Sequence, residues 1–244
     1  MPKRKIVISD VHGHYEALSI LLDVISPAQG DEVYFLGDLI DRGPQSAQVV
    51  GLVMENNYHC LMGNHEQMML DAIGSGRVIP DLLQNWMYGG GYTTMISYNN
   101  KIPNDHLEWF SKLPIYIDLG DIFLVHAGLD PNLRLEQQTQ KECCWIREPF
   151  HNMTEPYFPE KLIVTGHTIT FTFPRVRSGQ IVGGMGWLGI ETGVYHPRGG
   201  WLTAFDTEQN MVYQVHAPTK KTRICDLMEV LVVHPKDNRA ASLR

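Results

Sequence analysis

The sequence predicts an α/β fold, and the order of its elements supports this class in two ways. In the first third, short β-rich runs alternate three times with segments of helical periodicity, an order typical of a largely parallel sheet with right-handed crossovers. Beyond residue 114 the chain is rich in strand-like runs, which indicates a sheet that becomes partly antiparallel or is doubled into two packed sheets. We therefore expect an α/β fold whose strands form either one mixed sheet or two packed sheets.

The individual elements follow from the period of the hydrophobic residues. A strand over residues 5–9 precedes a helix in which Leu18, Leu21, Leu22 and Ile25 have the i, i+3, i+4, i+7 spacing of a buried face. The same criteria predict helices over about 44–56, with Pro44 in the first turn, and over about 66–73. Further strands are expected over residues 33–36, 58–62, 115–118, 122–125, 162–165, 181–182, 201–205 and 212–215.

The length of 244 residues and a hydrophobic content of 43% are ample for one domain with a substantial core. We place this domain at residues 1–216. Residues 217–244 are expected to form a C-terminal extension, of which the last eight residues are frayed.

Composition excludes several classes of partner. A formal charge of −7 argues against nucleic acid and anionic membranes, because both need clustered cations. No segment approaches 18 apolar residues, so no membrane span is expected. The four cysteines, of which Cys143 and Cys144 are neighbours, include no CxxC pair. We interpret them as packed, reduced thiols of a cytoplasmic protein.

The loops after the first three predicted strands combine acids, histidines and an amide: "DVHGH" at 10–14, "GDLIDRG" at 37–43 and "GNHE" at 63–66. Two later strands also end in histidine, His126 and His167. Ligand sites of open α/β sheets gather at the carboxyl ends of the strands. We therefore expect these five strand ends to meet in space.

The donors at these ends suit a pair of metal ions. Carboxylate, imidazole and amide groups without cysteine favour manganese, iron or zinc over calcium or an iron–sulfur cluster. Asp38 is suited to bridge two ions because a carboxylate has two oxygens. The remaining candidates form two groups, Asp10 with His12 and Asn64 with His126 and His167.

These motifs, with "VHAG" at 125–128 and "GHT" at 166–168, resemble in order those of the calcineurin-like metallophosphoesterases. The resemblance spans about residues 5–205 and is nearest to the phosphoprotein phosphatase branch, which includes small bacterial and phage serine/threonine phosphatases. It implies a metallophosphoesterase-type sandwich of two mixed β-sheets flanked by helices, with the metal site at the carboxyl ends of the strands. It also implies two divalent ions, with manganese expected and iron, zinc or nickel as alternatives.

The resemblance further implies a role for each motif residue. Asp10, His12 and Asp38 would bind the first metal, and Asp38 would bridge to a second metal bound by Asn64, His126 and His167. His65 would be the proton donor, paired with Asp41. Arg42 would hold the phosphate, together with Arg147 of "WIRE" at 145–148. Glu191 stands where the family usually has Asp, a departure expected to leave the metal site untouched.

The implied reaction is hydrolysis of phosphoserine and phosphothreonine in proteins, by in-line attack of a metal-bridging hydroxide. An alternative keeps the metals but takes another substrate, as in the symmetrical dinucleoside tetraphosphate hydrolases. Glu66 and the "WIRE" segment favour the phosphatase branch. A third hypothesis is a metal-binding interaction module without catalysis, against which the intact His65, Asp41 and Arg42 speak.

Two other features are interpreted as structural. The glycines at 89–91 follow a predicted helix rather than a strand, so they favour a packed turn over a phosphate-binding loop. An aromatic stripe is expected to belong to the core or to a lid; its members are Trp86, Tyr88, Tyr92 and Trp109.

Overall fold

The structure is a computed structural model that describes residues 3–74 and 76–234. Within these residues the strands form two six-stranded sheets. In chain order the strands are β1 (Lys5–Ile8), β2 (Glu32–Phe35), β3 (His59–Cys60), β4 (Tyr116–Asp118), β5 (Ile122–Val125), β6 (Leu162–Thr165), β7 (Ile181–Gly184), β8 (Trp187–Gly189), β9 (Trp201–Asp206), β10 (Met211–His216), β11 (Lys221–Asp226) and β12 (Leu231–Val233).

Helices cover the outer faces and the carboxyl ends of the sheets. They are α1 (Tyr15–Ile25), α2 (Ser46–Glu55), α3 (Asn64–Met69), α4 (Pro80–Trp86), α5 (Tyr92–Ser97), α6 (Asn104–Ser111), α7 (Gln140–Trp145), α8 (Glu148–His151) and α9 (Leu227–Val230). A π-helical turn over Leu70–Gly74 continues α3, and another over Met87–Gly91 joins α4 to α5. No helix of the described ranges is long and apolar enough to cross a membrane.

Each sheet has a parallel centre with antiparallel additions. The first has the order β11-β10-β9-β1-β2-β3, in which β1, β2 and β3 are parallel and β9 pairs antiparallel with β1. The second has the order β12-β7-β8-β6-β5-β4, with β5, β6 and β8 parallel. The five predicted strand ends therefore lie at one edge of the molecule.

Alternation along the strands builds the two sides of each sheet. On β1, Ile6 and Ile8 join the core under α1 and α2, whereas Val7 faces the second sheet. On β5, Leu124 packs between the sheets, whereas Phe123 faces the outer core under α7 and α8. This period of two is the pleat of a strand that is buried on both faces. The predicted sandwich of two mixed sheets flanked by helices is confirmed.

Some element bounds differ from the sequence prediction for local reasons. Pro44 lies before α2, which begins at Ser46. The predicted strand 58–62 pairs only over His59–Cys60, because the chain then bends into the "GNHE" turn. The helix predicted at 66–73 begins earlier, at Asn64, and changes to the π-helical turn at Leu70.

The sequence analysis did not predict three of the strands. β8 contains a glycine and spans three residues, which is too short for a period to be recognised. β11 and β12 lie in the segment that we set apart as an extension, and they pair with β10 and β7 respectively. The described part of that segment thus adds a strand to both sheets. The fraying predicted for residues 237–244 lies outside the described residues.

Candidate active site

The five strand ends converge as the topology requires. Asp10 and His12 follow β1, the "GDLIDRG" turn follows β2, and Asn64 begins α3, with three residues between it and the end of β3. His126 and His167 follow β5 and β6 of the second sheet. Backbone hydrogen bonds join the ends: the N–H groups of residues 11 and 12 donate to Asp38 O, and that of Gly166 donates to His126 O. The site is therefore built across the junction of the two sheets.

Several site residues have left-handed backbone conformations that side chains other than glycine seldom adopt. Their φ values are 45° at His12, 49° at Asp38, 73° at Asp41, 68° at Arg42 and 60° at His167. Each such residue costs of order 1 kcal/mol, and they concentrate where function demands an unusual side-chain direction. Sequence periodicity carries no signal for these conformations.

Glycines permit the close packing of these turns. Gly37 has φ 99°, and a Cβ there would lie 2.6 Å from the Gly63 nitrogen. At Gly43 a Cβ would lie 2.2 Å from His12 O, to which the Gly43 N–H also donates a hydrogen bond of 3.0 Å. The "DVHGH" and "GDLIDRG" loops thus touch backbone to backbone.

Two clusters of metal-binding atoms share the Asp38 carboxylate. One consists of His12, Asp38 and His65, the other of Asp38, His126 and His167, and the ligand atoms of each cluster lie within 4.8 Å of one another. All five residues are buried. Asp38 Oδ2 lies 3.7 Å from His12 Nε2 and 3.5 Å from His126 Nε2. Asp38 is therefore placed between the two groups, as a bridging carboxylate must be.

The second cluster has the hydrogen-bond pattern of a cation site. His126 Nδ1 lies 2.8 Å from Leu36 O, so a neutral ring donates there and has its lone pair on Nε2. That Nε2 faces Asn64 Oδ1, another acceptor, at 3.0 Å, and His167 Nδ1 lies 2.9 Å from the same oxygen. Acceptors that converge on one point suit a divalent ion. The donor set thus fits the dinuclear centre that the motifs imply.

The first cluster differs from the predicted ligand set because it contains His65, which was expected to be the proton donor, and lacks Asp10. His12 Nδ1 lies 3.0 Å from Ile40 O, which leaves Nε2 for a ligand, but Arg42 Nη1 lies 2.7 Å from that Nε2. The carboxylate of Asp10 accepts the backbone N–H of His167 at 3.0 and 3.2 Å. Asp10 lies at the site, and its role as a ligand stays a prediction.

Burial and neighbouring charges set the protonation of these groups. Burial lowers the pKa of His12, His126 and His167, which favours the neutral imidazoles that metals bind. Burial by itself would raise the pKa of Asp38, but the nearby imidazoles of His126, His65 and His12 outweigh it and lower that pKa. Asp38 therefore stays ionised at neutral pH.

His65 and Asp41 form a buried pair. His65 Nδ1 lies 2.6 Å from Asp41 Oδ2, and the opposite ring nitrogen lies 3.9 Å from Asp38 Oδ2. The His65 backbone N–H donates to Asp38 Oδ1 at 3.0 Å. The pairing expected from the motifs is present. It leaves His65 Nε2 on the side of the metal clusters.

Arg42 and Arg147 line one cavity of about 240 Å³ together with Asp38, Asn64 and His167. The Arg42 guanidinium lies 4.0 Å from the centre of the Tyr195 ring, and Arg147 Nη1 donates to Thr168 Oγ1 at 2.9 Å. Guanidinium groups bind phosphate oxygens in pairs of hydrogen bonds. The cavity therefore brings two anion-binding groups to the metal-binding atoms.

Two buried glutamates support the site from behind. The Glu66 carboxylate accepts backbone N–H groups of Asp38, Leu39 and Gly63 at 2.8 to 3.1 Å, so it shapes two of the loops. Glu191 lies closer to the site than the sequence analysis expected. It is buried, and after burial itself its charge is the largest cause that raises the pKa of Asp10.

Sequence reasoning missed the residues that hold Asp41 and Arg42. The aromatic stripe divides: Trp86 is fully buried against Asp41, whereas Tyr88 and Tyr92 are exposed. Tyr195, whose ring lies against the Arg42 guanidinium, belongs to none of the sequence motifs. Cys143 and Cys144 are buried, and burial raises the pKa of the Cys143 thiol to about 12, in accord with packing rather than reactivity.

The chain is similar in sequence to symmetrical bis(5'-nucleosyl)-tetraphosphatases of bacteria. A bis(5'-nucleosyl)-tetraphosphatase (symmetrical) of Coxiella burnetii (strain Dugway 5J108-111) is 29% identical over 140 residues, which are 56% of this chain and 45% of that protein. Its counterpart in Neisseria meningitidis serogroup A is 29% identical over 133 residues, 52% of this chain and 44% of that protein. The matched segment thus spans less than half of these relatives.

Solved structures share the fold at lower identity. A candidate diadenosine tetraphosphatase aligns with a TM-score of 0.65 at 22% identity, over 87% of this chain and 93% of that one. A serine/threonine phosphatase from Saccharomyces cerevisiae aligns with a TM-score of 0.55 at 16% identity, over 92% and 80%.

The model of the calcineurin-like phosphoesterase family matches residues 3–184, which contain the five motifs and both metal-binding clusters. The two-sheet sandwich and the paired clusters at its edge agree with that match. The chain belongs to the calcineurin-like phosphoesterases.

Proposed function

We propose that the chain is a metal-dependent phosphomonoesterase that acts on phosphoserine and phosphothreonine in proteins. The observation that carries this proposal is the small cavity in which Arg42 and Arg147 meet the metal-binding atoms. At about 240 Å³ it lies below the usual 300 to 1,000 Å³ of pockets that enclose a whole small molecule. It suits a phosphoryl group whose carrier lies outside, as in a phosphoprotein.

The proposed ligands are Asp10, His12 and Asp38 for one ion and Asp38, Asn64, His126 and His167 for the other. Two bound ions supply Lewis acidity, which lowers the pKa of a shared water to about 7 and so provides a nucleophile at neutral pH. Manganese as the resident ion and the cytoplasm as the compartment remain predictions.

The protein's own groups would do three things in this reaction. Arg42 and Arg147 would orient the phosphoryl group and balance its charge, each through hydrogen bonds of about 1.5 to 3 kcal/mol. His65 would give a proton from Nε2 to the leaving oxygen, a contribution of roughly 10²- to 10⁴-fold for a poor leaving group. Asp41, at 2.6 Å from Nδ1, would keep that ring in place.

A second candidate is symmetrical hydrolysis of dinucleoside tetraphosphates, which the curated relatives named above favour. The chemistry at phosphorus would be the same. The substrate would differ in needing contacts for two nucleosides outside the phosphoryl cavity.

One comparison tests the proposal and separates the two candidates. A single manganese-loaded preparation is given a phosphothreonine peptide and diadenosine tetraphosphate, and kcat/KM is measured for each. We expect the peptide to be preferred. A preference of tenfold or more for the dinucleotide, equivalent to about 1.4 kcal/mol, would replace the first candidate by the second. No turnover of either substrate with any divalent metal would remove both.

A further inference from the structure

The carboxylate of Asp41 is held by more than its histidine. Trp86 Nε1 donates to it at 2.9 and 3.1 Å, and the Thr94 hydroxyl donates to Oδ1 at 2.6 Å. The Asp41 backbone N–H donates in turn to Thr94 Oγ1 at 2.8 Å and to Ser46 Oγ at 3.2 Å. With His65, three side-chain donors fix the two oxygens of one buried carboxylate.

Trp86 and Thr94 lie on either side of a kink in one helical segment. Trp86 ends α4, Thr94 lies in α5, and the chain bends between them at Gly90, which has φ 122°. The bend lets both side chains reach Asp41. Between them the Gly90 carbonyl accepts the Arg42 N–H at 3.2 Å. We call Trp86, Gly90 and Thr94 the Asp41 clamp. It grips the turn that carries both Asp41 and Arg42.

The polar groups of the Trp86 and Thr94 side chains are directed mainly at Asp41. Thr94 Oγ1 also lies 3.0 Å from Ser46 Oγ, which itself accepts the Asp41 backbone N–H. Trp86 and Thr94 are fully buried, and an indole has a single N–H to donate, which here goes to Asp41. A side chain that needed burial alone could be apolar, since burying an N–H requires a partner. The chemistry of these two residues is thus directed at the Asp41 carboxylate.

We propose that Trp86 and Thr94 are positioning residues for leaving-group protonation. By fixing Asp41 they fix the His65 ring, so that Nδ1–H points to Asp41 and Nε2 faces the metal-binding clusters beside Asp38. Protonation of a leaving oxygen requires that geometry to within hydrogen-bond reach. This inference rests on the proposed phosphatase function and adds to it two residues that touch no substrate.

The test varies the leaving group. The leaving group of phenyl phosphate is phenolate, a basic anion whose departure is assisted by a proton. The leaving group of p-nitrophenyl phosphate is p-nitrophenolate, a stable anion that needs little such assistance. We expect Trp86→Phe, which keeps the ring and removes the N–H, to lower kcat on phenyl phosphate about tenfold or more, a fraction of the roughly 10²- to 10⁴-fold effect of a general acid. On p-nitrophenyl phosphate kcat should change less than about threefold, with KM near wild type on both.

A second pair of variants covers the case in which Trp86→Phe does not fold. Thr94→Val removes the hydroxyl at nearly constant volume and should reproduce the selective loss, whereas Thr94→Ser retains the hydroxyl and should restore the wild-type ratio of the two rates. Trp187→Phe is the matched control. Trp187 is also buried, its Nε1 has no hydrogen-bond partner in the described part of the chain, and it packs in the outer core away from the site.

The outcomes are distinct. A fall in the ratio of phenyl to nitrophenyl turnover in Trp86→Phe and Thr94→Val, but not in Thr94→Ser or Trp187→Phe, supports the inference. An equal loss on both esters, or no loss, assigns the clamp to stability alone and overturns the inference while the phosphatase function stands. If wild type hydrolyses neither ester with any metal, the proposed function fails and this inference fails with it.

Discussion

The two aspartates of the "GDLIDRG" turn are three residues apart, yet their surroundings are opposite in kind. Asp38 lies among imidazole nitrogens at 3.5 to 3.9 Å, at the centre of both metal-binding clusters. Asp41 is surrounded by hydrogen-bond donors from His65, Trp86 and Thr94. One carboxylate faces positions for cations, whereas the other faces N–H and O–H groups.

The same substitution should therefore have different effects at the two positions. Asp38→Asn removes the charge shared by both clusters, so the purified protein should contain less metal by elemental analysis. Asp41→Asn should retain its metal and lose about 10²-fold in kcat on phenyl phosphate, because His65 is no longer held.

Metal content and kcat should be measured on the same samples, with wild type as the reference. Wild-type metal content in Asp38→Asn would contradict the bridging role. A metal-depleted Asp41→Asn would show that Asp41 acts through the metal site.

At the scale of the residue, the sequence identifies the candidate site residues better than it predicts their backbone conformations. Acids and histidines directly after apolar strands could be recognised because their spacing is local. The left-handed φ of His12, Asp38 and His167 arises from contacts between loops that are distant in sequence. The position of Glu191 beside Asp10 has the same origin.

At the scale of the element, the segment from α4 to α5 acts as a unit. Its π-helical turn contains Gly90 with φ 122°, where a Cβ would lie 2.8 Å from Arg42 Cγ and 2.9 Å from Arg42 N. The neighbouring Gly89 has an ordinary conformation, and a Cβ there would first meet the flexible end of Met68 at 3.3 Å. Adjacent glycines thus differ in what they permit.

Gly90→Ala should displace Arg42, because the new methyl group needs the space of its side chain and backbone. We expect inhibition by inorganic phosphate to weaken about tenfold, or about 1.4 kcal/mol. Gly89→Ala is the control and should bind phosphate as wild type does. Equal inhibition constants in the two variants would show that Arg42 does not depend on the Gly90 contact.

The sequence predicted a packed turn in this segment but not its contacts with Asp41 and Arg42. Three consecutive glycines after a helix predicted a packed turn, and Gly91 does pack on the Trp86 ring. The residues that grip the turn, 86, 90 and 94, span a π-helical turn whose period differs from 3.6. Similarly, β11 and β12 are edge strands whose sequences, KTRICD and LVV, do not alternate apolar with polar residues, so they are recognised only by their pairing.

On the scale of the whole molecule, a buried histidine in the outer core makes the stability of the fold depend on pH. His151 packs against Phe173 and Trp187, and burial, aided by Arg147, lowers its pKa from 6.5 to about 3. The unfolded chain therefore binds a proton between pH 6.5 and 3 that the folded chain does not. Stability should fall as pH decreases through that window, by up to about 1.4 kcal/mol per pH unit from this residue.

His151→Gln removes the side chain that takes up this proton. The free energy of unfolding should then depend less on pH below 6.5, which urea denaturation at a series of pH values would measure. Above pH 7 the histidine is neutral in both states, so the two proteins should share one slope there. Parallel curves over the whole range would mean that His151 is not the source of acid sensitivity.

The pairing of β1 with β9 sets the order in which the protein can be completed. Ile6 lies opposite Asp206, so β1 is synthesised long before β9, the strand that pairs with it on this side. Pairings so distant in sequence fold slowly, because the loop must be closed before its contacts form. During synthesis β1 therefore has an open edge, which a chaperone could shield.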